Sequence, residues 1–148
     1  TVSVSRDFEP APVSPWQADL MGVEESARFA QREEGSFVAP GLWVDRWTTF
    51  LPGGGTASFV FAHALTPVSA TSTRHVWRVS RNFALGAAGD GTVLTLLERY
   101  YRRVREILEA MQVMVDTDGP NPSEVRVAAD AAGSQVRRIM ARLSAEDI

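Results

Sequence analysis

Residues 91–115, GTVLTLLERYYRRVREILEAMQVMV, constrain this chain more than any other stretch. Apolar side chains recur at Val93, Leu96, Leu97, Tyr100, Tyr101, Val104, Ile107, Leu108, Met111, Met114 and Val115. That is a helical spacing held for about six turns. Glu98, Arg99, Arg102, Arg103, Arg105, Glu106 and Glu109 lie between them, with Glu98–Arg102, Arg102–Glu106 and Arg105–Glu109 at i,i+4. At about 1.5 Å per residue the helix runs roughly 35 Å, the width of a small domain. Its apolar face needs a surface to lie on, and the strand patterns that precede it are the expected partner.

The arginines of this helix alternate with glutamates, which describes a solvated face rather than a nucleic-acid surface. The chain as a whole agrees: 148 residues carry a net charge of −3, and the sequence pI is about 5.4. No nucleic-acid partner is expected. A hydrophobic fraction of 45% with 22% charged residues is globular, and the length suffices for one core. The absence of cysteine removes disulfides, thiol nucleophiles and thiolate metal sites, and fits a reducing, cytoplasmic location. With no run of about 18 apolar residues, no membrane partner is expected either. The first residue is Thr1, with no charged n-region or apolar h-region after it. The expectation is a processed or cut piece of a longer chain.

In chain order, residues 1–8 alternate as a short strand with no turn before it, which suggests a missing neighbour upstream. The three prolines of residues 9–15 are expected to end it. Residues 16–31 are mixed, and 24–32 are read as a short helix. From Gly35 onward the pattern turns to strands: 36–39, then 42–51, closing at Pro52-Gly53-Gly54-Gly55. Residues 57–65 put Phe59, Phe61, His63 and Leu65 on one face and Val60, Ala62 and Ala64 on the other, with Thr66-Pro67 as the break. Residues 71–83 alternate again, His75, Trp77 and Val79 opposite Arg74, Val76 and Arg78. Three linked strands predict an antiparallel meander. Asp90 is placed to cap the long helix, and 116–120 (DTDGP) to end it. Residues 124–130 are read as extended, pinning Val125 and Val127. Asp130 caps a last helix over 131–145 with Val136, Ile139, Met140 and Leu143 inward. The layout is α+β: a curved antiparallel sheet packed on a long helix, plus a final short helix, in one domain spanning 1–148.

Little in this chain has the spacing of a self-contained catalytic site. His63 and His75 stand twelve residues apart with no His-x3-His or helix-borne His-Glu pair. No Gly-x-Ser-x-Gly turn occurs, Glu24–Glu25 and Glu33–Glu34 read as solvated surface, and the glycine run precedes no helix. A ligand cavity fits the pattern better, because His63 shares a face with Phe59, Phe61 and Leu65. If that face is inward, one ionisable group in an apolar lining would orient a ligand. Solid packing with no cavity fits the pattern equally well.

Three segments carry a resemblance: Val44-Asp45-Arg46-Trp47, Phe61-Ala62-His63-Ala64-Leu65-Thr66-Pro67, and Ser72-Thr73-Arg74-His75-Val76-Trp77-Arg78-Val79-Ser80-Arg81-Asn82-Phe83. Glu109-Ala110-Met111-Gln112 and Asp130-Ala131-Ala132-Gly133 through Arg137-Arg138-Ile139-Met140-Ala141-Arg142-Leu143 extend it. Over residues 42–145, and more loosely 1–41, the chain resembles the C-terminal part of the oxygenase component of Rieske non-haem iron oxygenases, in the vanillate O-demethylase and dicamba monooxygenase branch. The resemblance implies a helix-grip, START-like fold holding a mononuclear iron beside an aromatic-sized pocket. It also implies an oxidoreductase that hydroxylates or O-demethylates aromatic substrates, with electrons passed through a Rieske iron–sulfur cluster. His63 stands where dicamba-type members have a substrate-contacting histidine. His63, Phe61, Leu97 and Tyr101 are the expected substrate-binding residues.

The chain departs from the family where the cofactors belong. Without cysteine it has no Rieske domain, and the family's two iron histidines lie upstream of anything present here. The family's third iron ligand is an aspartate about five residues before Glu-Ala, where this chain has Val104; a one-residue gap would give Arg105. Glu106 fits only with a two-residue shift, which turns the helix by about 200°. No cofactor is therefore expected in this chain, no metal ligand and no assigned catalytic residue. The expected function is the substrate-pocket portion of an aromatic-ring hydroxylase or O-demethylase, not competent alone. Its partners would be a small aromatic or apolar ligand and further oxygenase subunits or copies of itself. The alternatives are a metal-free helix-grip module that binds an apolar or aromatic ligand, and a structural subunit of an oxygenase oligomer.

Overall fold

The structure is a computed structural model that describes residues 1–118 and 127–146. It divides into two compact units, Thr1–Ala84 with Ala128–Ile148, and Leu85–Val127. The first unit is built on a five-stranded antiparallel sheet in sequential order. Its strands are β1 (Val2–Pro12), β2 (Arg28–Val38), β3 (Leu42–Phe50), β4 (Thr56–Ser69) and β5 (Ser72–Arg81). The meander expected from three strands therefore has five. Together with a long helix in the second unit and a C-terminal helix, the elements are those of an α+β, helix-grip-like fold.

Several boundaries differ from the expectation, each for a local reason. β1 does not stop at its prolines but runs through Pro10 to Pro12, with its register on β2 slipping between Phe8 and Ala11. Among the described strands β1 pairs only with β2, so a residue without an N–H is tolerated on its outer side. Thr66-Pro67 likewise fails to break β4, which continues to Ser69 opposite β5. β3 pairs with β4 only as far as Ala64, so beyond that point β4 has one partner and Pro67 removes no ladder bond on that side.

The helix expected over 24–32 is absent, and Arg28–Val38 is strand instead. Phe29 and Gln31 are both buried, an alternation that a strand held between two neighbours satisfies. The helix in this region lies earlier, at α1 (Pro15–Met21). Pro15 opens it, the Gln17 side chain accepts the Ser14 backbone N–H at 3.1 Å, and Gly22 closes it at φ 66°. Val13, Ala18 and Phe29 form a buried cluster there, with Met21, Val23, Ala27 and Leu51 packed around it.

A 3₁₀ turn (Ala128–Asp130) leads into α3 (Ala131–Glu146), which lies against β1. Asp130 is the last residue of that turn, directly before α3, and the extended reading of 124–130 does not hold for 128–130. Residues 124–126, Val125 among them, lie outside the described residues.

The second unit is dominated by α2 (Ala87–Asp118), 32 residues and therefore about 48 Å long. It begins four residues before the expected start. Asp90 sits in its first turn, not at its cap, and its backbone N–H reaches Gly86 O at 2.9 Å. Of the expected ion pairs, Arg105–Glu109 closes at 3.6 Å between exposed groups, a contact of small energetic weight.

A candidate ligand-binding face on the sheet

Strand register sorts the sheet into two chemically different faces. Trp43, Asp45 and Trp47 of β3 stand opposite His63, Phe61 and Phe59 of β4. Those three in turn stand opposite Trp77, Val79 and Arg81 of β5. Because side chains alternate, all of these share one face. The other face carries Ser3, Ser5, Arg32, Glu34, Ser36, Ser58, Arg78 and Ser80. There Arg32 grips Asp7 through Nε at 2.6 Å and Nη2 at 3.1 Å, and that hydrogen bond holds the Asp7 carboxyl below its usual range.

The aromatic face is continuous. Trp16 of α1 meets Phe59 at 5.7 Å between ring centroids. Phe59 stacks on Phe61 at 5.7 Å and takes the edge of Phe83 at 4.9 Å. Phe61 stacks on His63 at 6.4 Å and His63 on His75 at 5.3 Å. His63 is thus framed by Trp43 and Trp77 on the two neighbouring strands and by Phe61 along its own. The expectation that His63 shares a face with Phe59, Phe61 and Leu65, and that His75, Trp77 and Val79 share one, agrees with this register.

A chain of polar atoms runs through this aromatic frame. His63 Nε2 lies 3.2 Å from Asp45 Oδ1, and His63 Nδ1 lies 3.0 Å from His75 Nε2. The Trp43 side chain also donates to Asp45. Gly35, opposite Asp45 on β2, makes this possible, because a Cβ there would run into the six-membered ring of Trp43. Burial pushes the Asp45 carboxyl above its ordinary value, against the pull of His63 and the bond from Trp43. Burial, then the charge of His63, lowers His75. The hydrogen positions on the imidazoles are set by the bonds they make.

Of the four substrate-binding residues expected from sequence, the sheet brings His63 and Phe61 together. Leu97 and Tyr101 lie on α2, one turn apart on a common helix face, within the second unit. Sequence reasoning missed Trp43, Asp45 and Trp77 and undervalued His75. The alternation of 42–51 already puts Trp43, Asp45 and Trp47 on one side. Which neighbours that side meets depends on register, which periodicity does not contain.

In the Arg81-Asn82-Phe83 segment, prominent in the resemblance, Asn82 ties strand ends together. Asn82 accepts the Ser58 backbone N–H at 2.7 Å and donates to Thr56 O at 3.0 Å, extending the hold on β4 past the end of β5. Arg81 donates to Ala84 O at 2.8 Å.

With this geometry established, comparison with known families is direct. The model of the vanillate O-demethylase oxygenase C-terminal domain matches residues 1–146. The chain belongs to that family, and is thus a C-terminal domain of a Rieske-type oxygenase component. No curated protein and no solved structure matches it significantly.

Intact members of this family use iron and an iron–sulfur cluster. The donor set of the described residues does not fit either. No group of three or more His, Cys, Asp or Glu among them is arranged to hold a metal ion. His63 and His75 turn nitrogens toward each other.

Proposed function

We propose that this chain is the substrate-pocket portion of an aromatic-ring hydroxylase or O-demethylase oxygenase component, and that its aromatic sheet face receives the ligand. The observation that carries this reading is the single polar chain, Asp45–His63–His75, set among Phe61, Trp43 and Trp77. Flat apolar walls supply affinity for a ring, and one hydrogen-bonding group fixes its orientation. His63 and Phe61 are the proposed ligand contacts on the sheet. We read the chain alone as not competent for oxygenation, a reading supported by the lack of any metal-holding group among the described residues.

One observation favours a second reading. Valine at position 104 removes a carboxylate that a mononuclear iron would need, which suits a metal-free module that binds the same ligand class without redox chemistry. Iron analysis of the purified chain separates the two. Absence of stoichiometric iron is expected, and one iron per chain would overturn the reading of Val104.

The binding role is tested by titrating an aromatic acid and a phenol into the protein and following tryptophan fluorescence. His63→Ala is expected to weaken binding more than His75→Ala, because His63 is the link bonded on both sides. Equal losses, or none, would remove His63 from the site. Asp7→Asn, on the opposite face, is the control and is expected to leave binding unchanged.

A further inference from the structure

The polar face of the sheet, opposite the aromatic frame, holds a concavity of about 400 Å³. Arg46, Thr56, Ser58, Val60, Ser80 and Asn82 line it. Register puts Arg46 of β3, Val60 of β4 and Ser80 of β5 in one row. Ser58 and Asn82 meet in the next row, where they are hydrogen-bonded. All of these residues belong to the first unit.

What the concavity can hold follows from the hydrogen-bonding capacity its groups have left. Asn82 Oδ1 already accepts the Ser58 N–H, and Nδ2 gives one hydrogen to Thr56 O, which leaves the other open. Ser58 donates its hydroxyl hydrogen to the buried Thr48 at 3.2 Å. The hydroxyls of Thr56 and Ser80 are engaged by none of the described residues. Arg46 adds a fork of N–H donors. Glu34 stands directly across from it on β2, yet no ion pair joins the two among the described residues. No Asp or Glu lines the concavity. Its charged residues are Arg46 and Arg81, and Arg78 stands in the next row of the same face. The open capacity is that of donors beside positive charge, which suits an anion.

We propose that this concavity is a second binding site, independent of the aromatic face, which holds the phosphate group of a small organic phosphate. Arg46 and Ser80 stand two strands apart, about 10 Å between backbones, with the short Val60 side chain between them. A phosphate has three strongly accepting oxygens. It can take the Arg46 fork from β3 while Ser80 and Asn82 donate from β5 and Thr56 from the strand between. A carboxylate, with two oxygens in one plane, satisfies the fork and leaves the other donors unmet. The bonds that already hold Ser58 and Asn82 keep the ordering cost of binding small. The concavity is larger than one phosphate, so the carbon skeleton of the ligand has room beside it.

Amide spectra of the full chain, titrated with glycerol 3-phosphate at fixed ionic strength, test this. Saturable shifts are expected at Arg46, Ser58, Ser80 and Asn82, and none at the His63 and Trp77 rings. Arg46→Gln is expected to weaken binding about tenfold through loss of a charge-assisted bond, and Ser80→Ala to weaken it less. Both side chains are exposed, so both variants should keep the wild-type urea midpoint. Acetate is expected to bind about tenfold more weakly than the phosphate. Acetate binding as tightly as glycerol 3-phosphate would overturn the assignment to phosphate. Shifts centred on His63 and Trp77, no saturable shift, or full affinity in both variants would overturn the site itself. None of these outcomes bears on the aromatic face, because glycerol 3-phosphate carries no ring.

Discussion

Gly35 and His75 show how much single residues control here. Gly35 is needed for space, since a Cβ would strike the Trp43 ring that supports Asp45. Gly35→Ala is expected to destabilise the fold by about 1–3 kcal/mol through overpacking. Urea unfolding measures that loss, and a shift in tryptophan emission reports the displaced ring. His75 makes a different prediction. Its folded pKa is lowered from 6.5, so as pH falls through 6.5 the unfolded chain takes up a proton more readily than the folded one. This residue therefore costs stability on the acid side and nothing above about pH 7. The melting temperature should drop between pH 7 and 5, and His75→Gln should reduce the drop. An identical drop in the variant would show that another group controls it.

At the level of elements, β4 and β5 form the pair that presents the candidate site, and Asn82 holds their far end. Its side chain replaces two ladder bonds that β5 no longer supplies, so Asn82→Ala is expected to cost about 1–2 kcal/mol. The loss should appear in urea unfolding without a change in ligand affinity at the His63 end of the strands. A large change in affinity would mean that Asn82 also shapes the face. The edge position of β1 explains how it carries Pro10 and Pro12 without ending. α2 keeps its amphipathic character from sequence to structure, and Leu97, Tyr101 and Val104 fall on one of its faces.

For the whole molecule, family membership across residues 1–146 and the donor set of the described residues point in different directions. The family implies oxygenase chemistry, while no group of three or more His, Cys, Asp or Glu among the described residues is arranged to hold a metal ion. Restoring the carboxylate with Val104→Asp supplies one ligand only. It is expected to leave the isolated chain without stoichiometric iron, as measured by metal analysis. Stoichiometric iron in that variant would show that valine alone removed the metal. No described helix is long and apolar enough to cross a membrane.

The alternation of 57–65 and 71–83 and the periodicity of 91–115 were enough to read the strand faces, the long helix and the α+β class. Those patterns are local, and a side chain's face follows from its own position in the sequence. The fates of 24–32 and of the prolines were not legible, because each depends on which neighbours a strand has rather than on its residues. The same holds for the site. His63 and Phe61 share a strand and could be paired by counting. Asp45 and His75 join His63 only through the pairings of β3 with β4 and β4 with β5. Register over such separations is a tertiary property, decided when the sheet assembles.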